Sequence, residues 1–425
     1  MHAALPTIKP GSPLKTGSHA HLDIGDSQTI CLIASAGPDG EPRIDGTGVR
    51  ETRGITSSAV TDLEALVDTI TGAVSIAEKT VGQPVSTAAV SFSAGRPESH
   101  FIDIDIELAG HPVRADDIAQ ALKEAERLLG ESALADNRRL VLIEPTAFDV
   151  DGSLAFRAPI GMFGKVLKVF IHGVTADDDA LKNLELAVTR SHLDVGIMIP
   201  TSYASGLATL VDDERRLGAA VIDLGAGCRD ICLYVQSVPV YAAVLPGGGD
   251  QITEDIARTL LTPFDAAERL KIFHGHAVPS SGDHLAGIDV PQLGAEPGDC
   301  VQVTRWKLNA VIEARLRQLL TEIRSVLDGE GFFDQHGSSV VLTGGVSMTE
   351  GLLPLAQEIL GTNVRLGEPR ALPGLPVAAQ GHQYASAIGL VLFMASWTDS
   401  IEQKTKTKPK PPSFGRLFNW LKKQY

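Results

Sequence analysis

Cysteine is scarce in this sequence, with 4 among 425 residues, at positions 31, 228, 232 and 300. No pair has the two-residue gap of a zinc knuckle or a redox dithiol, and so few thiols make no disulfide scaffold. A reducing cytosol is the natural setting. Basic side chains are also in short supply, 37 against 52 acidic ones, for a formal charge of −15. That balance excludes a general nucleic-acid binder, which needs clustered Lys and Arg for its phosphate contacts. Long apolar runs are missing as well. The longest near the end, residues 388–397, falls short of the ~20 residues that a spanning helix takes. Residues 1–17 have neither the basic nor the apolar region of a secretory signal, so the expectation is a soluble protein or one held at a membrane from outside. What is present suffices for real cores: 44% of residues are hydrophobic and 21% charged. Length then predicts about two to four domains.

Residues 1–17 read as a disordered lead-in. Beyond them a strand-like run, LDIGDSQTICLIA, is matched 200 residues later by VIDLGAGCRDICLYV. Asp23-Ile24-Gly25 with Ile30-Cys31-Leu32 pairs with Asp223-Leu224-Gly225 and Ile231-Cys232-Leu233. Two matched strand–turn–strand units predict two related halves, each opening with a β-hairpin. Between them Ile102, Ile104, Ile106 and Leu108 alternate with Asp103, Asp105 and Glu107 as a half-exposed strand. A helix with Ile118, Leu122, Ala125 and Leu129 on one face follows, and further strands complete a small α/β insert. Later come a glycine turn opening a helix, an uninformative stretch at 275–300, a long charged helix at 304–328, and a strand with a Gly-Gly turn. Residues 399–413 read as a Lys/Pro linker.

Asp followed by an aliphatic residue and Gly at a strand end can hold Mg²⁺ through water while the glycine lets backbone N–H groups approach phosphate oxygens. Many turns use the same residues for geometry alone, so the pairing of two such turns carries the weight. The turn Gly247-Gly248-Gly249-Asp250 opens a helix, which places N–H donors near an anion. Ile252 stands where a dinucleotide fingerprint needs its last glycine, which disfavours that fold. Ala267-Glu268-Arg269-Leu270-Lys271 can touch a ribose or simply be a solvated face. Leu342-Thr343-Gly344-Gly345 is either a tight turn or a place where backbone lies flat against a base.

In this order the motifs resemble those of the actin/Hsp70/sugar-kinase ATPase superfamily, and within it the bacterial FtsA cell-division family. The stretches SSAVTDLEALVDTI, APIGMFG, PGGGDQITEDIARTLLTPFDAAERLK, VIEARLRQLL and LTGGVSMTEGL carry that likeness across residues 20–398 and the tail. The resemblance implies an α/β, actin-like duplicated fold of two RNase H-like halves with an α/β insert subdomain. Its divisions would be a first half over 18–92, 175–205 and 378–398, the insert over 93–174, a second half over 206–252 and 330–377, and a further subdomain over 253–329. It implies ATP and Mg²⁺ as cofactors. The expected contacts are Asp23, Gly25, Asp26, Ser27, Asp223, Gly225, Ala226, Gly227, Gly247, Gly248, Gly249, Glu268, Lys271, Gly344 and Gly345, with Asp23 and Asp223 holding the metal through water. It further implies self-association into filaments, binding of the C-terminal peptide of FtsZ and of other divisome proteins, and a peripheral place on the cytoplasmic side of the inner membrane at midcell. An actin-like pilus-assembly scaffold and a sugar-kinase-like phosphotransferase are the alternative readings.

The chain departs from the family where chemistry would happen. The first turn commonly reads Asp-Ile-Gly-Thr-Ser-Lys, and here Asp26 replaces the Thr and Gln28 the Lys. An added carboxylate repels a triphosphate unless Mg²⁺ intervenes, and the lost ammonium removes attraction. In the second turn Cys228 and Arg229 stand where the family has hydroxyls. The crossover segment Ile199-Pro200-Thr201 lacks the usual carboxylate. Nucleotide binding with slow or absent hydrolysis is the expectation.

Residues 404–425 hold seven basic side chains and no acidic one, which leaves −22 on the remainder. On a helix Phe414, Leu417, Phe418 and Leu421 share one face with Trp420 at its margin, while Lys422 and Lys423 fall opposite. This pattern predicts an interfacial helix over 414–425 that binds anionic lipid. Docking onto the protein's own surface is the bland alternative. Arg305, Lys307 and Arg315 lie on the helix that, by resemblance, receives the acidic FtsZ peptide, or else they form a solvated face.

Overall fold

The computed structural model describes residues 19–37, 41–294, 296, 299–334, 338–361 and 363–403. Each predicted hairpin opens a sheet of the same plan. Strands His19–Ile24, Gln28–Ala36 and Pro42–Glu51 run antiparallel, and Thr87–Phe92 and Asp194–Pro200 add in parallel on the side of the first strand. In the second half Ala219–Leu224, Cys228–Val235 and Val238–Pro246 form the meander, with Ser339–Thr343 and Val364–Leu366 added in the same way. These strands read as apolar runs because helices cover both faces. Helix Leu63–Val81, N-capped by Asp62, buries Leu66, Ile70, Ala73, Val74 and Ala77 at helical spacing. Helix Arg305–Gly329 does the same for the second half through Leu308, Ile312, Leu316 and Ile323. The actin-like α/β fold expected from the sequence is the fold observed.

Helices Thr201–Thr209 and Ala385–Gln403 pack against each other between the halves. Their backbones meet so closely that a Cβ at Gly389 would lie 1.7 Å from the Ala204 carbonyl oxygen. The last helix thus reaches five residues into the stretch read as linker. The uninformative stretch contains a short 3-10 turn, Ser281–His284, and strand Gly287–Pro291 paired with Cys300–Thr304. Strands this short leave too little periodicity to detect.

The insert consists of strands Glu98–Glu107, Arg138–Val150, Ser153–Ala155 and Val166–Asp177 with helix Ala115–Ala135 across them. Its sheet is continuous with that of the second half. Ala243 pairs with Glu98, and the Ser99 hydroxyl accepts from the Ala242 N–H at 2.7 Å. Near this seam Glu144 is buried and its Oε2 meets no donor among the described residues. Burial pushes its carboxyl well above the usual range. In the unfolded chain a glutamate ionises near pH ~4.3, so the folded state retains a proton that the unfolded one releases. Stability therefore falls as pH rises above that point, by about 1.4 kcal/mol per pH unit, until the folded carboxyl itself ionises. Glu144→Gln should be nearly neutral at pH 4 and increasingly stabilising toward pH 8, as read by thermal melts across that range.

Candidate functional site

The two hairpin turns face each other across a cavity of about 540 Å³, within the size range of small-ligand sites. Asp23, Gly25, Asp26 and Ser27 line it from the first turn, and Asp223, Gly225 and Ala226 from the second. Gly249 joins them, with Glu268 and Lys271 from helix Phe264–His274 and Gly344 and Gly345 from the turn after strand Ser339–Thr343. Residues drawn from five separate segments are thus brought together.

Gly227, Gly247 and Gly248 do not line the cavity; they fit its walls together. A Cβ on Gly248 would lie 2.2 Å from the Gly225 carbonyl oxygen. The N–H groups of Gly247, Gly249 and Asp250 donate to the carbonyls of Gly227, Gly225 and Ala226 at 2.9, 3.0 and 3.0 Å. The triglycine turn spends these donors on the second hairpin turn and so buttresses it. Lys271 is tied to the same place: its Nζ donates to the Gly249 carbonyl at 3.0 Å and to Thr253 Oγ1 at 2.8 Å, and pairs with Glu268 at 2.6 Å.

Arg229, read from the sequence as a lost hydroxyl, points away from the cavity and is 1% exposed. Its guanidinium donates to the carbonyls of Gly247, Leu319 and Pro246 at 3.0, 2.9 and 2.6 Å, and pairs with Glu322 at 2.7 Å. The second turn is thereby clamped to the triglycine turn and to helix Arg305–Gly329.

The cavity floor is acidic. Asp223 and Asp230 are directly opposed in the second hairpin, and like charges so placed repel. Burial, reinforced by the nearby Asp23, pushes the Asp223 carboxyl up to about 7, against a hydrogen bond from Ser205 at 2.5 Å. Burial and the charge of Asp223 push Asp230 up to about 8. Asp230 Oδ2 accepts from Ser93 at 2.9 Å, whereas its buried Oδ1 has no donor among the described residues. Asp23 accepts from Ser91 at 2.7 Å. Acceptors held this close, one of them unpaired, suit a hydrated divalent cation that keeps its waters. No three metal-binding side chains cage a bare ion among the described residues.

Cys228, noted from the sequence as replacing a hydroxyl, also lines the cavity, as do Ser58, Ser93, Asp230, Gln383 and Ser386, which were not singled out. Asp230 carried a usable signal, since hairpin register places it opposite Asp223. The serines come from distant segments and carried none. Arg305 also lies on the cavity wall, its Nε donating to the His274 carbonyl at 2.9 Å. Lys307 is exposed on the same helix, and Arg315 is paired with Asp255 at 2.6 Å. Phe414, Leu417, Phe418, Trp420, Leu421, Lys422 and Lys423 lie outside the described residues. Among the described residues no helix is long and apolar enough to cross a membrane.

Comparison with known proteins decides the family. Residues 220–389 match the family described as cell division protein FtsA, and residues 95–175 match the SHS2 domain inserted in FtsA. The cell division protein FtsA of Rhizobium meliloti (strain 1021) is 38% identical over 92% of this chain and 90% of its own length. The chain belongs to the FtsA family. Solved structures agree on the fold alone. The PilM–PilN type IV pilus biogenesis complex gives a TM-score of 0.62 at 20% identity, covering 89% of this chain and 98% of that one. MreB5 of Spiroplasma citri bound to ADP gives 0.54 at 12% identity, covering 91% and 99%. As an FtsA-family member the chain is a cell-division protein with an actin-like fold. Its matched SHS2 segment coincides with the insert whose sheet joins the second half.

Proposed function

We propose that this FtsA-family chain binds an adenine nucleotide with Mg²⁺ between its hairpin turns and assembles on the cytoplasmic face of the inner membrane at midcell, anchoring FtsZ filaments there. The unpaired buried oxygen of Asp230 beside Asp223, facing Asp23 in a cavity of nucleotide size, carries the nucleotide part. In this reading Asp23 and Asp223 orient a hydrated Mg²⁺, which offsets the acidic floor against the phosphates. Glu268 and Lys271 lie along the ribose, and Gly344-Gly345 lets backbone lie against the base. Hydrolysis is slow because Ile199, fully buried, stands where the family pattern has its crossover carboxylate, so no acidic group there orients an attacking water.

The tail supplies the membrane part. Each apolar side chain contributes at most ~1.5–3 kcal/mol on burial, and each basic one ~1 kcal/mol on an anionic leaflet. A single helix of this length therefore binds reversibly, and assembly of copies into filaments makes attachment firm. Arg305, Lys307 and Arg315 lie on the helix offered to the acidic peptide of FtsZ. Co-pelleting with anionic vesicles tests the reading: FtsZ should pellet only with this protein present, and more with Mg²⁺-nucleotide than without. FtsZ left in solution under every condition would reject it. Replacing Leu417 and Phe418 by Glu should abolish flotation with vesicles while leaving nucleotide binding intact.

A further inference from the structure

We propose that Asp26 occupies the terminal-phosphate position of the cleft, so that the site selects a nucleoside diphosphate over a triphosphate. This deepens the nucleotide reading above and rests on it. Residues 55–60 form a tight hairpin, pairing Ile55 with Val60 and Thr56 with Ala59. Its two-residue tip, Ser57-Ser58, is left-handed at both positions, with φ of 50° and 61°. Such a tip ordinarily calls for Asn or Gly. Here it delivers two donors to one carboxylate. The Ser58 N–H donates to Asp26 Oδ1 at 2.8 Å, and its hydroxyl reaches Asp26 Oδ2 at 3.1 Å.

The hydroxyl also lies 3.0 Å from Cys228 Sγ, so its one proton is shared between the first half and the second. From the far side Asp26 abuts Gly227, where a Cβ would fall 2.3 Å from its Cγ. The carboxylate is therefore gripped at the point where the two hairpin turns come together. Beside Lys271 and Gly345 the cavity wall carries the exposed apolar side chains Ile272, Phe273 and Met348. A nucleotide whose base rests against them, as the reading above has it, directs its phosphates toward the hairpin turns and Asp26. A carboxylate presents two charged oxygens much as a phosphate does, and this one already takes the backbone and hydroxyl donors and the space that a last phosphoryl group needs. Two phosphates stop short of it, whereas a third meets a fixed negative charge. The same substitution of Asp for the usual Thr that weakens triphosphate binding thus completes the site for its product-sized analogue.

Competition against a fluorescent ADP analogue on the full chain with Mg²⁺ tests this. The wild type should bind ADP at least about tenfold more tightly than ATP. Asp26→Thr should tighten ATP by about tenfold or more while changing ADP by less than about threefold. Ser58→Gly suits the left-handed backbone, so it keeps the turn and removes one anchor of Asp26; it should recover part of the ATP gain, and it decides the matter if Asp26→Thr fails to fold. Equal or tighter ATP binding by the wild type overturns the proposal, as does a gain for ADP as large as that for ATP. No binding of either nucleotide to wild type or variants overturns instead the nucleotide reading on which it stands.

Discussion

Arg229→Met should cost about 3 kcal/mol of stability, from several hydrogen bonds lost at a buried position, with little from Glu322, which is half-exposed. The guanidinium holds three backbone carbonyls and Glu322 from a fully buried position. Methionine fills much of the volume but withdraws the donors that Arg229 gives these carbonyls. Lysine keeps the charge yet cannot fan out to four acceptors in fixed directions, so Arg229→Lys should recover less than half of the loss. Urea unfolding followed by tryptophan fluorescence gives the midpoints. A variant within about 1 kcal/mol of wild type would show that the clamp is dispensable. Because the clamp fixes the second hairpin turn rather than touching the cavity, nucleotide affinity should fall along with stability.

The second large effect concerns the crossing of helices Thr201–Thr209 and Ala385–Gln403. With 1.7 Å between a Cβ at Gly389 and the Ala204 carbonyl, any side chain forces the helices apart. Gly389→Val should destabilise by more than the usual 1–3 kcal/mol of roughly one overpacked methylene site, because the obstructing O, C and Cα of Ala204 all belong to the main chain and cannot rotate away. The expected observation is loss of soluble protein at 37 °C or a melting transition lowered by about 10 °C or more. Gly389→Ala should show a smaller loss of the same kind. A melt unchanged in both variants would mean that the helices have room to separate.

Legibility in the sequence followed the physics of each feature. The duplicated halves were readable because each hairpin repeats Asp-aliphatic-Gly before Ile-Cys-Leu within a local stretch, and strand periodicity is local. Asp23, Asp223, Glu268, Lys271 and the Gly344-Gly345 turn were readable from motif order. The clamp made by Arg229 is not legible in the sequence, because its neighbours in space, Leu319 and Glu322, lie some ninety residues away in the chain. Ser58 and Ser93 were silent for the same reason: a serine's role depends on what it faces, and tertiary folding alone determines that. The triglycine turn was recognised as a turn beside the site, but the direction of its N–H groups depends on backbone rotation that composition does not encode. The tail, read from helical spacing and charge as an interfacial helix, lies outside the described residues.

The seam between insert and second half bears on motion. The insert is spliced into the first half, entering through the left-handed pair Gly95-Arg96 and leaving after Asp177, yet it is hydrogen-bonded to the second half through Glu98 and Ser99. Relative rotation of the halves cannot then be a free swing about the two crossing helices. The strand entering the insert acts as an extra tie between the halves. Opening the cleft must either flex Gly95-Arg96 or unzip the seam, and either event displaces the insert's far edge. Any change in the angle between the halves therefore loads this seam as well as the helix crossing.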